Sequence, residues 1–299
     1  MNDDKGLSAW GWTAQWQSVW KDQRMAEGAQ PGRILSQRDD IFTVAIEGST
    51  VHAHSSGSLF QRSSEEERPA VGDWVAVELT DDDALVTHVL PRSSRFLREA
   101  VGGRGLAQLV ASNVNVIFLV CPVSNFSANR LERLLLAIQA GGAEPVLVLS
   151  KGDLVSAEEL QALVLEASAL MEGLMVVCTS SARDCPERVR AELKPLLQAG
   201  HTYALIGTSG AGKSTLLNCL MEQELQATGE VRESDGKGRH VTSFRELFAL
   251  PEGALVMDTP GMREFGLWSG AGGLERVFAD VSRLVQQCQF SNCSHRSEP

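Results

Sequence analysis

The sequence predicts a multidomain protein in which a small N-terminal β-barrel (OB-like) precedes an α/β domain that carries a phosphate-binding loop. Five short segments of strand composition fall between residues 32 and 98, which suits a small barrel. From about residue 110, apolar strands alternate with helices, a pattern typical of a parallel sheet covered on both faces. We expect four units: a Trp-rich helical extension (1–31), the barrel (32–98), the α/β domain (99–270) and the start of a C-terminal helical domain (271–299).

Composition limits the function classes. The chain has 299 residues, 43% of them hydrophobic, and a net charge of −11. That charge argues against a general nucleic-acid binder, because phosphate contacts dominate such affinity. No apolar run is long enough for a bilayer and the first residues lack a secretory pattern. We therefore expect a cytoplasmic protein without membrane association or disulfides, in which Cys121, Cys178 and Cys219 are inert core thiols.

Two local basic groups stand out against the acidic total. Each is either a solvated face or a phosphate-contacting surface, and the sequence leaves both alternatives open. The groups are Arg92, Arg95, Arg98 and Arg104, and then Arg232, Lys237, Arg239, His240 and Arg245.

The N-terminal extension carries Trp12, Trp16 and Trp20 at intervals of four residues. This spacing places them on one helix face. We expect that face to pack on a neighbouring domain, because tryptophan stripes on helices are usually buried, and we prefer this to an RNA-stacking platform.

Apolar patterning locates the regular elements. Barrel strands are predicted at 33–35, 41–46, 49–53, 74–79 and 84–90. Strands of the α/β sheet are predicted at 114–120, 145–149, 174–177, 203–206 and 254–257, and helices at 131–140, 160–171 and 274–287.

A complete phosphate-binding loop follows the strand at 203–206 and leads into a helix near Ser214. Its backbone N–H groups are expected to cradle phosphates at the helix N-terminus. Lys213 would reach the β- and γ-phosphates, and the Ser214 hydroxyl would ligate Mg²⁺. The loop residues are Gly207, Thr208, Ser209, Gly210, Ala211, Gly212, Lys213, Ser214 and Thr215.

A second phosphate-site motif, Asp-Thr-Pro-Gly, follows the strand at 254–257. Asp258 is placed to hold the Mg²⁺ shell at the carboxyl end of that strand. Gly261 can offer its N–H to a γ-phosphate and release it after hydrolysis, which makes this segment a candidate switch.

A guanine-binding motif follows the strand at 145–149. Ser150, Lys151, Gly152 and Asp153 resemble the Asn-Lys-x-Asp motif of GTPases, with Ser150 in place of the usual Asn. We expect this replacement to weaken one supporting hydrogen bond of the motif. The Asp153 carboxylate would accept hydrogen bonds from guanine N1–H and N2–H₂, which adenine does not supply. The segment at 179–182 resembles the companion loop whose backbone faces guanine O6, and its candidate residues are Ser180 and Ser181.

These motifs occur in circularly permuted order, because the base motif precedes the phosphate loop and the magnesium switch. In ordinary GTPases the base motif comes last. The permutation preserves the three-dimensional site and moves the chain ends, so that the switch leads within about a dozen residues into the predicted C-terminal helix.

The motif order, the barrel in front and a Cys/His cluster behind resemble ribosome small-subunit-dependent GTPase A, the RsgA or YjeQ family, over about residues 32–299. The shared segments are Pro-Arg-Ser-Ser at 91–94 with Arg98, Ala-Ser-Asn-Val at 111–114, Gly-Arg-His-Val-Thr at 238–242, and 258–265. The resemblance implies a monomeric GTPase that binds the small ribosomal subunit and its rRNA late in subunit maturation. It would use GTP/GDP, Mg²⁺ and Zn²⁺. The Trp-rich extension departs from the family.

A zinc site is suggested by Cys288, Cys293 and His295 in Cys-x4-Cys-x-His spacing. Without the resemblance, two stray cysteines near a histidine would be the simpler interpretation. The family supplies a further Cys just beyond this His, and no Cys follows before Pro299. We therefore expect an incomplete site in this chain and one zinc in a longer protein.

Hydrolysis needs an oriented water, and Met262 stands where many GTPases have a Gln for that purpose. Intrinsic turnover is therefore expected to be slow, on the order of 10⁻⁴ to 10⁻³ s⁻¹ or less. His240 is the candidate substitute, beside Thr242, which would bring its hydroxyl or carbonyl to Mg²⁺. His240 is alternatively an RNA contact or an exposed residue. The catalytic candidates are thus His240, Lys213 and Thr242.

Two other functions remain open at this point. One is an ATP-using phosphate-loop enzyme, which Asp153 disfavours. The other is a non-catalytic RNA-binding or scaffold protein in which the nucleotide is a structural ligand.

Overall fold

The computed structural model describes residues 6–64, 66–80, 83–99, 107–180, 186–221 and 245–258. It confirms the predicted combination of a closed five-stranded barrel and an α/β phosphate-loop domain. The predicted helix at 274–287 and the C-terminal zinc segment lie outside the described residues. None of the described helices is long and apolar enough to span a membrane.

The barrel is built from five strands in the order β1-β2-β3-β5-β4, and a β1–β4 pairing closes it. Alternate residues such as Phe42, Val44, Val77 and Val86 are buried, as expected where one strand face lines a filled interior. Helix α1 (Ala14–Asp22) precedes the barrel. The barrel elements are β1 (Gln30–Arg38), β2 (Ile41–Ile46), β3 (Ser49–Ser55), α2 (Gly57–Arg62), β4 (Trp74–Leu79) and β5 (Ala84–Val89).

A two-stranded hairpin that the sequence patterns did not predict follows the barrel. It pairs β6 (Arg95–Glu99) with β7 (Ala107–Ser112) in antiparallel register. The boundaries predicted at residues 31 and 98 fall at positions that the structure assigns to β1 and β6.

The α/β sheet contains five parallel strands in the order β10-β9-β8-β11-β13, with β12 antiparallel to β13 at the end. The strands are β8 (Val116–Pro122), β9 (Glu144–Ser150), β10 (Met175–Cys178), β11 (Thr202–Ile206), β12 (Arg245–Ala249) and β13 (Leu255–Asp258). The helices are α3 (Ala128–Ala140), α4 (Ala157–Ser168), α5 (Pro186–Leu193) and α6 (Lys213–Met221).

Two apolar clusters cover the two faces of this sheet. Ile117 and Leu119 of β8 belong to the cluster that contains α3 and continues into the barrel core, whereas Phe118 belongs to the one that contains α5 and α6. Strand alternation explains the division. Helix α4 begins at Ala157, three residues before the predicted start, because Ser156 and Glu159 form a capping box.

The barrel and the α/β sheet are joined edge to edge. Strand β1 pairs with β12 in antiparallel register, Ser36 opposite Glu246 and Gln37 opposite Arg245. The barrel thereby covers the edge of β12 that would otherwise present unpaired backbone groups.

The first basic group contains a structural arginine. Arg92 makes a bidentate contact with the buried carboxylate of Asp73, at 2.8 and 2.7 Å, and donates to the carbonyls of Glu66 and Arg68. The Arg92 side chain therefore holds the loop before β4 in place. Arg95, by contrast, is exposed.

The N-terminal tryptophans pack on the barrel, as predicted. The Trp12 and Trp16 rings lie 4.7 and 5.9 Å from the fully buried ring of Trp74 on β4, within the range of favourable aromatic contacts. The prediction that all three tryptophans lie on one helix is wrong for Trp12, because α1 begins only at Ala14. Gly11 adopts φ +89° there and leaves no room for a side chain against the Gly200 carbonyl.

Arg33 on β1 ties three parts of the chain together. Its guanidinium donates to the Trp10 carbonyl at 2.7 Å, to the Thr202 hydroxyl at 2.9 Å and to the Asn113 carbonyl at 3.3 Å. It also lies 4.9 Å from the Trp74 ring centroid, in cation–π range. The extension, the barrel and the amino ends of β8 and β11 therefore meet at one side chain.

Burial of this charge has a cost that its partners must offset. Desolvation lowers the pKa of Arg33 to about 9, and the Asp73 carboxylate opposes that shift. The guanidinium still carries its charge at neutral pH, so its hydrogen bonds are charge-assisted and stronger than neutral ones.

We predict that Arg33→Ala lowers the free energy of unfolding by about 2–5 kcal/mol, because it leaves the Trp10 and Asn113 carbonyls without their donor. Urea denaturation measures the change. Arg95→Ala, at an exposed arginine on β6, is the control and should stay within about 0.5 kcal/mol of the native protein. Equal losses in the two variants would contradict this account of Arg33.

Candidate functional site

The candidate site lies where the parallel strands end. After β8, the chain adds β9 and β10 on one side of that strand and then adds β11 on its other side. The order of strand addition therefore reverses, and β8 and β11 flank the point of reversal. In open α/β sheets, ligands bind outside the carboxyl ends of the strands at such a point. Gly207, the first phosphate-loop residue, sits there, and a Cβ on it would lie 2.2 Å from the Val120 carbonyl of β8.

The phosphate loop, residues 207–213, has backbone angles that favour glycine. Gly210 and Gly212 adopt φ of +74° and +96°, in the left-handed region that only glycine enters without strain. Helix α6 starts at Lys213, so the loop turns into a helix N-terminus, where N–H groups and the helix dipole attract anions.

The ammonium group of Lys213 is held over this loop. It donates to the Gly207 and Thr208 carbonyls, both at 2.7 Å. These two bonds hold the side chain against the loop. Ser214 and Thr215 follow on the first turn of α6 and are half-buried.

The base loop, residues 150–153, leaves the end of β9 through a strained turn. Lys151 adopts φ 59° and ψ 37°, a left-handed conformation that is uncommon for a side chain of this kind and is often found at functional sites. Asp153, two residues further on, is exposed.

Two hydrogen bonds hold Thr179, the first residue of the companion loop (179–182), to the end of β9 and to the base loop. The Thr179 N–H donates to the Leu149 carbonyl, and the Gly152 N–H donates to the Thr179 carbonyl, both at 2.9 Å. Thr179 is buried and Ser180 half-buried, while Ser181 lies outside the described residues.

Ser150 joins the base loop to the phosphate loop. Its hydroxyl donates to the Ala211 carbonyl at 2.8 Å, and both residues are buried. The sequence suggested that Ser150 weakens the motif by replacing Asn, and it gave no sign of this contact. Two motifs about sixty residues apart in the chain are thus in direct contact at the sheet edge.

The magnesium motif is described only in part. Asp258 is the last residue of β13, opposite Glu246 of β12, and β13 runs parallel to β11. The carboxyl end of β13 therefore lies at the same sheet edge as the phosphate loop. Several predicted site residues lie outside the described residues: His240, Thr242, Gly261, Cys288, Cys293 and His295. Within the described residues, no group of three metal-binding side chains occurs.

Three cysteines near the sheet have raised pKa values. Burial raises the pKa of Cys121, at the end of β8, to about 11, and burial also raises the pKa of Cys178 and Cys219. A raised pKa favours the protonated thiol, which is less reactive than the thiolate. This agrees with the expectation that they are small core residues or inert thiols.

Comparison with known proteins identifies relatives over nearly the whole chain. The chain is 38% identical over 299 residues to the small ribosomal subunit biogenesis GTPase RsgA of Syntrophotalea carbinolica. The alignment covers 97% of this chain and 80% of that protein. It is 39% identical over 288 residues to the protein of the same name from Xanthomonas campestris, covering 95% and 76%.

Two solved structures share the fold. YjeQ from Thermotoga maritima matches with a TM-score of 0.60 at 24% identity, over 91% of this chain and 88% of that one. YloQ, described as a circularly permuted GTPase, matches with a TM-score of 0.58 at 21% identity, over 93% and 88%. The model of the RsgA GTPase family matches residues 89–268, and with this match and the relatives above, the chain belongs to the RsgA GTPase family.

Proposed function

We propose that this protein is a GTPase that binds the small ribosomal subunit and hydrolyses GTP during the late maturation of that subunit. The observation that carries the proposal is the 2.8 Å hydrogen bond from Ser150 to Ala211. It brings a guanine-type motif to within contact of a phosphate loop, as one nucleotide bridging both loops requires. The ribosomal partner is proposed from the names of the relatives. We also propose that the protein acts with this partner in the cytoplasm and that it is a monomer.

The proposed chemistry depends on positioning and on charge neutralisation, as phosphoryl transfer generally does. Lys213 and the loop N–H groups bind the β- and γ-phosphates, and a Mg²⁺ ion held by Ser214, Thr242 and Asp258 would supply further positive charge. Ser180 and Ser181 would line the base, and Gly261 would contact the γ-phosphate. His240 would position the attacking water.

The alternative functions differ in measurable ways. An ATP-using enzyme would bind ATP as tightly as GTP, and the exposed Asp153 carboxylate at the end of the base loop disfavours this. A scaffold protein with a structural nucleotide would bind GTP without turnover. The permuted order of the motifs is compatible with all three, so it does not distinguish them.

Asp153→Asn is predicted to shift preference from GTP towards XTP, because an amide donates where the carboxylate only accepts. Titration with fluorescent nucleotides measures the two affinities. Glu166→Gln, at an exposed carboxylate on α4, is the matched control and should not alter the preference. Unchanged GTP affinity in Asp153→Asn would remove Asp153 from the site.

His240→Ala is predicted to abolish most ribosome-stimulated turnover and to leave GTP affinity nearly intact, since the phosphate loop and Asp153 provide the binding. The stimulation lost should be smaller than the roughly 10³- to 10⁵-fold of an arginine finger, because a neutral imidazole neutralises no charge. Single-turnover hydrolysis with saturating small subunits measures it, alongside a subunit-binding assay.

Two comparison variants sharpen the His240 test. Lys213→Ala should weaken GTP binding itself. His201→Ala, which alters a half-buried side chain before β11 at the opposite edge of the sheet, should affect neither step. A His240→Ala protein that binds subunits and turns over GTP at the native rate would exclude the catalytic role.

We also propose a zinc ion on Cys288, Cys293 and His295. Two thiolates and one imidazole are the donors that zinc prefers, and a structural zinc normally has four ligands. Elemental analysis should find substoichiometric zinc in this 299-residue chain and about one zinc in a longer chain that supplies a fourth ligand. Absence of zinc from the longer protein would rule the site out.

A further inference from the structure

The companion loop begins with a buried hydroxyl that has no hydrogen-bond partner among the described residues. Thr179 is 1% exposed, and among the described residues nothing bonds to its Oγ1 atom. A buried hydroxyl without a partner is destabilising, since it has given up its bonds to water. Its neighbour Ser150 is satisfied, because the Ser150 hydroxyl donates to the Ala211 carbonyl.

Strand register places these two residues side by side. In the parallel β9–β10 pair, Leu149 lies opposite Cys178, so Ser150 and Thr179 are the next residues along the two strands. Their closeness is fixed further by the bonds from Thr179 N–H to Leu149 and from Gly152 N–H to Thr179. Side chains at facing register positions lie on the same face of a sheet.

The Ser150 and Thr179 hydroxyls do not bond to each other. The one hydrogen of the Ser150 hydroxyl goes to Ala211, and although its oxygen has lone pairs that could accept, Thr179 Oγ1 makes no hydrogen bond among the described residues. A carboxamide at position 150 would have both a donor for the Ala211 carbonyl and an acceptor for the Thr179 hydroxyl. The longer side chain would also reach further towards Thr179 than the serine hydroxyl does.

We propose that the side chains of Ser150 and Thr179, here called the clasp, determine how firmly the base loop is held against the phosphate loop. The clasp thereby determines how long a guanine nucleotide stays bound. The inference rests on the proposed function, because it concerns the same nucleotide site. Ser150 and Thr179 are positioning residues here, since they act through the loops rather than on the nucleotide. In this chain the Ser150 hydroxyl bonds to the phosphate loop, whereas the Thr179 side chain adds no bond to the two backbone bonds that hold the companion loop.

The test is a double-mutant cycle between Ser150→Asn and Thr179→Val, with the dissociation rate of fluorescent GDP as the readout. Ser150→Asn should slow dissociation roughly threefold to tenfold, which corresponds to about one added hydrogen bond. Thr179→Val in the Ser150→Asn background should remove most of that gain. Ser168→Asn is the matched control, because the Ser168 hydroxyl also donates to a backbone carbonyl, that of Val164 at 2.8 Å, but outside the site.

A second readout separates positioning from general stability. The preference for GTP over ITP, which lacks the 2-amino group that Asp153 would bind, should rise in Ser150→Asn and stay unchanged in Ser168→Asn. Thr179→Val alone should raise the melting temperature of the nucleotide-free protein, because it removes the unbonded hydroxyl.

The outcomes distinguish the inference from the function on which it rests. If the native chain binds no GTP, the proposed function fails and the clasp fails with it. If the native chain binds GTP, but Ser150→Asn dissociates at the native rate or keeps its gain in the Thr179→Val background, the clasp alone is overturned. A gain in the melting temperature of Ser150→Asn without any change in its GTP-to-ITP preference would also overturn it.

Discussion

The buried guanidinium of Arg33 is the interaction on which the arrangement of the whole chain depends. It bonds at once to the N-terminal extension at Trp10, and to the α/β domain at Asn113 and Thr202. Asn113 and Thr202 stand at the amino ends of β8 and β11, so the barrel docks at that edge of the sheet. The base loop and the phosphate loop meet at the opposite, carboxyl ends of the strands.

Strand β1 connects the contacts of Arg33 to β12, the last strand of the α/β sheet. Arg33 lies in its first half, and four residues later Gln37 pairs with Arg245 at the start of β12. Strand β12 begins three residues after Thr242, and β13 ends three residues before Gly261. The hairpin between the two candidate switch residues is therefore bonded directly to the barrel. Because backbone pairing joins β12 to β1, we expect a displacement of β12 to move the barrel strand β1 as well.

Much of the fold and of the site was predictable from local patterns. The barrel strands are short segments rich in apolar residues and bounded by polar ones, and the phosphate loop is specified by glycines whose backbone angles the structure shows at Gly210 and Gly212. Local patterns of this kind reflect forces that act between near neighbours. The positions of the base and phosphate motifs at strand ends followed from the same patterns, as did the packing of the Trp16 ring on the barrel.

Contacts between distant residues were beyond those patterns. Arg33 reads as an ordinary polar residue at the start of a strand, and only the fold brings Thr202, 169 residues away, to its guanidinium. Likewise, Arg92 was grouped with a basic patch because charge patterning does not reveal its partner, Asp73. The β6–β7 hairpin was missed because its strands are short and join two domains. Ser150 looked like a weakened motif residue until its register beside Thr179 was known.

The central claim is that this chain couples GTP hydrolysis to the small ribosomal subunit. The most direct measurement is multiple-turnover phosphate release with GTP or ATP, by the chain alone, with purified small subunits and with purified large subunits. The account predicts slow release by the chain alone, strong stimulation by small subunits with GTP, and none with large subunits or with ATP. Equal release with both subunits, or equal use of ATP and GTP, would contradict it.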